Sequence, residues 1–116
     1  MRTRTRRTGA MLLAASLSVV ASTPLLAAGD AERGKAKSVP CQACHGVDGN
    51  SENATFPRIA GQYADYIEHT LEAYTTGERK NAIMQGFAAT LTAEDRADLA
   101  AWYSSQKGLK AVKDQN

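Results

Sequence analysis

Cysteine is nearly absent: 116 residues hold two, at positions 41 and 44, too few for the multi-bridge framework that staples many small exported domains. Aromatic residues make up 6% of the chain, with one Trp, two Phe and four Tyr. No uninterrupted apolar run reaches the roughly 20 residues that a membrane-spanning helix needs. Beyond residue 29 there is no strand-length alternation, no internal repeat and no low-complexity tract, so sheet-based and repeat architectures are excluded.

Basic charge is also missing where a nucleic-acid reader would carry it. Arg2, Arg4, Arg6 and Arg7 precede residue 30 with no acidic partner. Residues 30–116 hold the other 10 Lys and Arg and all 12 Asp and Glu, a formal charge of −2. A phosphate-binding surface needs a Lys/Arg stripe of its own, so no nucleic-acid partner is expected. The clustered arginines have another meaning. They form the positive start of a secretory signal, and Ala10 to Ser22 forms its short apolar stretch. Thr23-Pro24 breaks the helix, and Ala27-Ala28-Gly29 offers small residues for cleavage. Residues 1–29 are therefore expected to be a cleaved signal peptide and residues 30–116 one domain.

That domain has few large apolar side chains. One this small usually needs a disulfide, a metal or a cofactor to hold it. Cys41 and Cys44 are followed at once by His45. A disulfide across Cys-x-x-Cys closes only a tiny loop and removes little chain entropy. Zinc needs four ligands, but His45 abuts Cys44 and the other histidine, His69, lies 24 positions further on. A redox dithiol would want a βαβ context, which is missing. Cys-x-x-Cys-His is the attachment sequence of a c-type haem. Two thiols three positions apart can each add to one vinyl group of the porphyrin, with the adjacent imidazole held under the iron.

The remainder reads as helices and turns. Ala31–Val39 is a short first helix, capped by Asp30 and stopped by Pro40. Gly34 in its middle implies a second helix crossing close by. Residues 46–60 are rich in turn formers. Gln62–Thr76 is a helix with Gly77 as its C-cap, and Tyr63, Ile67, Leu71 and Tyr74 make one buried face. A helical turn surrounds Ile83-Met84. Thr92-x-x-Asp95 opens the last helix with a capping box; Leu99, Trp102 and Tyr103 form its apolar stripe, and Gly108 ends it. His69 lies about 160° around the wheel from Ile67 and Leu71, so it faces water.

With Cys41-Gln42-Ala43-Cys44-His45-Gly46, Phe56-Pro57-Arg58-Ile59-Ala60-Gly61, Gly77-Glu78-Arg79, Met84 and Asp98-Leu99-Ala100-Ala101-Trp102-Tyr103, the chain resembles the small bacterial class I c-type cytochromes. It is similar to the monohaem carriers and to one half of the dihaem ones. The resemblance implies an all-α cytochrome c fold, with three main helices wrapped around one haem held through Cys41 and Cys44. It implies that the first and last helices cross, with Gly34 against Trp102. It implies that the Pro57 carbonyl accepts the second ring N–H of His45; for Arg58, a haem propionate contact and a solvated surface charge stand as alternatives.

Export leaves Met84 as the one methionine of the domain, and the resemblance makes it the second axial ligand beside His45. Left to the residues alone, the lesser alternative is that Met84 fills a gap in the core. With both axial positions occupied, the expected function is one-electron transfer in the periplasm after Sec-type export, without enzymatic activity. Partners would be redox proteins: a membrane oxidase, a reductase or a periplasmic dehydrogenase. A monomer with at most peripheral membrane contact is expected. The alternative is an electron-accepting subunit of a periplasmic oxidoreductase complex.

Overall fold

The computed structural model describes residues 28–109. The arginine cluster and the apolar stretch of the expected signal lie outside the described residues. Five helices follow one another: α1 (Ala31–Lys37), α2 (Val39–His45), α3 (Ala64–Thr76), α4 (Ala82–Ala88) and α5 (Ala93–Ser105). No strand occurs among the described residues. The all-α expectation holds; the three main helices are joined by two short ones, α2 and α4.

Asp30 caps α1 by accepting the Arg33 N–H at 2.8 Å. The helix stops at Lys37, and Pro40 is not its terminator. Pro40 stands in the first turn of α2, where its missing N–H is harmless because first-turn donors have no helical partner. The break falls at buried Ser38, whose hydroxyl donates to the Lys35 carbonyl (2.8 Å) and accepts from Gln42 Nε2 (3.1 Å). The chain thus turns just before the Cys-x-x-Cys-His segment and aims it afresh.

The α3 helix starts two residues later than expected, with Tyr63 as its N-cap. Of the anticipated buried face, Ile67 is buried and Leu71 and Tyr74 are half-buried, but Tyr63 is 53% exposed. An N-cap residue has left the helical register, so the spacing no longer dictates its direction. Gly77 ends α3 with φ +78°, the left-handed conformation that only glycine adopts cheaply. The side chain of Asn81 caps α4 by accepting the Met84 N–H at 3.0 Å. Both bonds of the Thr92/Asp95 capping box are present, at 2.9 and 3.1 Å. The α5 helix ends at Ser105, short of Gly108, which instead packs against the backbone of Ala60.

The most extensive helix–helix contact is between α1 and α5, and the next is between α3 and α5. Gly34 makes the first possible. A Cβ at that position would run into the Asp98 carbonyl and come within 2.8 Å of Trp102 Cβ. The expected contact with Trp102 is real, but the backbone of Asp98 is the tighter neighbour.

The Asp98 side chain is fully buried. It accepts from the Asp30 N–H (2.7 Å), from Arg33 Nε and Nη2 (both 2.9 Å) and from Lys37 Nζ (2.7 Å). Lys37 Nζ also reaches Asp95 at 2.7 Å. One carboxylate therefore ties the start of the domain to the middle of its last helix. Against this, the apolar core is thin: among the described residues Ile67, Leu99 and Tyr103 are its only large buried members, the rest being alanines.

Candidate cofactor site

Cys41, Cys44 and His45 all lie on α2, so the bend at Ser38 sets the direction of all three. Both cysteines are free thiols and half-buried. His45 is buried, and its Nδ1 is 2.8 Å from the Pro57 carbonyl oxygen. A carbonyl only accepts, so Nδ1 carries the hydrogen and Nε2 keeps its lone pair. The ring is thus held in the tautomer suited to a metal ligand, and its orientation is fixed from behind. The Pro57 expectation agrees with this contact.

In front of His45 lie two adjoining cavities of about 230 and 220 Å³. They share Cys41, His45, Pro57, Tyr74 and Met84, and together reach the scale of a small-molecule or cofactor site. The first is floored by Ile67, Leu71, Leu99 and Tyr103, from α3 and α5. The second adds Cys44 from α2, Phe56 from the segment between α2 and α3, and Ile83 and Phe87 from α4. Ile83 and Phe87 are 59% and 44% exposed, so this wall opens to the surface. Met84 stands at the N-terminal end of α4 through the Asn81 cap and borders both cavities, as His45 does.

The polar end of the first cavity carries Arg58, Gln62, Tyr66 and Arg79. Arg58 Nε donates to the Ser51 carbonyl at 3.0 Å, which leaves the rest of its guanidinium for the cleft. Arg79 was not assigned a role from sequence. Its Nη1 donates to the Tyr66 hydroxyl at 3.4 Å and its guanidinium lies 5.2 Å from the centroid of the Tyr74 ring. This donor lowers the Tyr66 hydroxyl from its ordinary range. Burial pushes the Cys41 thiol up. His69 is exposed and borders neither cavity.

These residues fit a covalently attached, flat, largely apolar cofactor with an acidic edge. Two thiols stand on one wall, and an imidazole nitrogen and a thioether sulfur border the same space. The core is thin where the cavities lie, and the buried Tyr103 hydroxyl has no hydrogen-bond partner. Zinc fits poorly: among the described residues no three His, Cys, Asp or Glu side chains gather as a metal site.

The Cytochrome c family model matches residues 31–107. This chain belongs to the cytochrome c family. It is 42% identical over 90 residues to cytochrome c4 of Pseudomonas aeruginosa, which covers 78% of the chain and 45% of the relative. It is 46% identical over 83 residues to cytochrome c-554(548) of Halomonas halodenitrificans, covering 69% of the chain and all of the relative. The crystal structure of reduced recombinant cytochrome c4 from Pseudomonas stutzeri superposes with a TM-score of 0.67 at 43% identity, over 71% of this chain and 48% of that one. A "thiosulfate dehydrogenase electron acceptor" of Thiomonas intermedia is 35% identical over 100 residues, 85% of the chain and 41% of the relative. The chain thus spans about half the length of the cytochrome c4 relatives and the full length of the Halomonas cytochrome.

The five-helix architecture is that of the cytochrome c fold. No helix among the described residues is long and apolar enough to cross a membrane.

Proposed function

We propose that this protein is a periplasmic one-electron carrier with a single haem c, joined by thioethers to Cys41 and Cys44 and ligated by His45 and Met84. The observation that carries this reading is the shared border of the two cavities: the attachment cysteine Cys41, the oriented imidazole of His45 and the sulfur-bearing Met84 surround one space. When bound, the haem supplies a reversible Fe(III)/Fe(II) couple. Cys41 and Cys44 would hold the haem through thioether bonds to its vinyl-derived carbons. His45 offers Nε2 because Pro57 holds its other nitrogen. Met84 would offer its sulfur, a soft ligand that favours the reduced metal and a positive potential relative to two histidines. Ile67, Leu71 and Leu99 exclude water, while Ile83 and Phe87 leave an apolar rim for brief contact with a redox partner. Arg58 faces the acidic edge of the cofactor.

Export by a Sec-type signal accords with this, because attachment needs an unfolded chain. Gly29 packs against the backbone of Ala97 and Asp98. A difference spectrum of the purified protein with and without dithionite, followed by a redox titration, tests the carrier reading. Expected is one haem per chain, a single one-electron wave and no carbon monoxide binding at neutral pH. Carbon monoxide binding to the reduced protein would mean an open iron site and overturn it.

The similarity to the Thiomonas electron acceptor supports a second reading, an electron-accepting subunit held by a dehydrogenase. Size-exclusion of the native protein separates the two. A stable complex at nanomolar concentration favours the subunit, and a monomer favours the free carrier.

A further inference from the structure

The hydroxyl of Tyr103 is a buried polar group in the wall of the first cavity. Tyr103 lies on α5, is 2% exposed and borders the same cavity as Cys41. Its oxygen is shielded from water, and no hydrogen bond of good geometry satisfies it. A buried donor left unsatisfied costs about 1–3 kcal/mol, so the group requires an acceptor.

Two side chains lie beside it, Ser38 and Cys41. Ser38 is already committed: its hydroxyl hydrogen goes to the Lys35 carbonyl, and its oxygen receives Gln42 Nε2. Cys41 packs against the cluster of Ile67, Leu99, Ala100 and Tyr103. In the free thiol the sulfur still holds a hydrogen and is a weak acceptor. Once it forms a thioether, it has lone pairs and nothing to donate.

We propose that Tyr103 donates its hydroxyl hydrogen to the sulfur of Cys41 in the cofactor-bound protein, and that through this sulfur it helps to set the redox potential. The proposal rests on the covalent-haem reading given above. Burial raises the Tyr103 hydroxyl well above its ordinary value, so it stays a donor throughout the neutral range. A donor aimed at the thioether draws electron density from the ring substituent. That disfavours the oxidised, more positive state and raises the potential. Tyr103 is thus a positioning residue: it acts on the cofactor through Cys41.

The test uses the holoprotein and its Tyr103→Phe variant, which keeps the packed ring and removes only the donor. An alkaline pyridine spectrum first establishes that both thioethers are present; its failure in the parent overturns the haem reading itself. Given both thioethers, the expected results are a lower midpoint potential in the variant and near-parental thermal melting. In the parent, D₂O should shift the vibrational bands of the Cys41 carbon–sulfur bond; in the variant it should not. This isotope measurement on the parent stands even where the variant fails to accumulate. Ser38→Ala serves as the control and should keep the isotope shift. An absent shift in the parent, an unchanged potential in Tyr103→Phe, or loss of the shift in Ser38→Ala would each overturn the proposal, the last by handing the hydroxyl to Ser38.

Discussion

Arg33 holds Asp98 with two donors, Nε to Oδ2 and Nη2 to Oδ1, each at 2.9 Å, across 65 positions of sequence. Arg33 is on the half-exposed side of α1, whereas Asp98 is entirely within the α1–α5 contact. This makes Asp98 a buried charge whose partners all come from one short helix and its cap.

Replacing Asp98 by Asn should therefore be costly. Lys37 and Arg33 would lose their common acceptor inside the helix contact, and the buried amide would take only part of their hydrogen bonds. Glu94→Gln removes an exposed partner of Arg33 at 3.5 Å and should cost less than about 1 kcal/mol. Urea unfolding of the two variants compares them directly; equal losses would contradict this account.

Acid should weaken the same clasp. Lys37 and the capping-box bonds hold the Asp95 carboxyl down at about 2, and Arg33, Lys37 and the Asp30 N–H hold Asp98 lower still. Both folded values lie below the roughly 3.9 of an unfolded Asp. The stabilisation is therefore complete above about pH 4 and is lost as pH falls toward 2 and below. Urea midpoints followed from pH 6 to pH 2 should fall steeply over that window, and less steeply in Asp98→Asn.

Glycine positions give a paired prediction of opposite sign. Helix propensity favours Ala over Gly by about 1 kcal/mol. At Gly34 that gain is overwhelmed, because the added Cβ meets the Asp98 carbonyl and the helices must separate. Overpacking of this kind costs about 1–3 kcal/mol or more, so Gly34→Ala should lower the melting temperature. At Gly86 in α4 a Cβ meets nothing within 4 Å, so Gly86→Ala should raise stability by up to about 1 kcal/mol.

Met84→Ala tests the second ligand. Its sulfur is the one thioether among the residues bordering the cavities. The oxidised variant should lose the weak charge-transfer band at the red edge of the visible spectrum. Its potential should fall and its affinity for added imidazole or cyanide should rise. An unchanged spectrum and potential would remove Met84 from the iron.

Without its cofactor the domain should not hold together. The buried core offers only Ile67, Leu99 and Tyr103 as large side chains around cavities that face Cys41 and His45. A Cys41→Ala/Cys44→Ala protein, unable to attach haem, should show low helicity by circular dichroism and no cooperative melt. A cooperative transition in that variant would falsify the cofactor's structural role.

The legible parts were those written in short spacings. Cys-x-x-Cys-His, the Thr92/Asp95 capping box, Gly77 and the outward-facing His69 each depend on residues within a few positions of one another. Gly34 was legible as a crossing point because a mid-helix glycine costs stability unless something lies close by. The role of Asp98 was hidden, since its donors lie 61–68 positions away. The break at Ser38 was misplaced to Pro40 because proline ends one helix or starts the next, and only the backbone decides which. Tyr63 fell out of the apolar face once the helix began one residue beyond it.

The clasp between Asp30 and Asp98 spans 68 positions, and the cofactor-attaching segment, Met84 and the whole lining of the second cavity lie inside the loop it closes. Drawing in a flexible loop of that length costs about 4 kcal/mol by the (3/2)RT ln n rule. A single carboxylate with its donors offsets little more than that. Closure and filling of the interior are consequently one event: ends that part release the cleft, and a cleft left unfilled gives the ends no reason to meet. Proteolysis or hydrogen exchange at α1 should therefore report on the state of a site that runs from Cys41, next along the chain, to Met84 on α4.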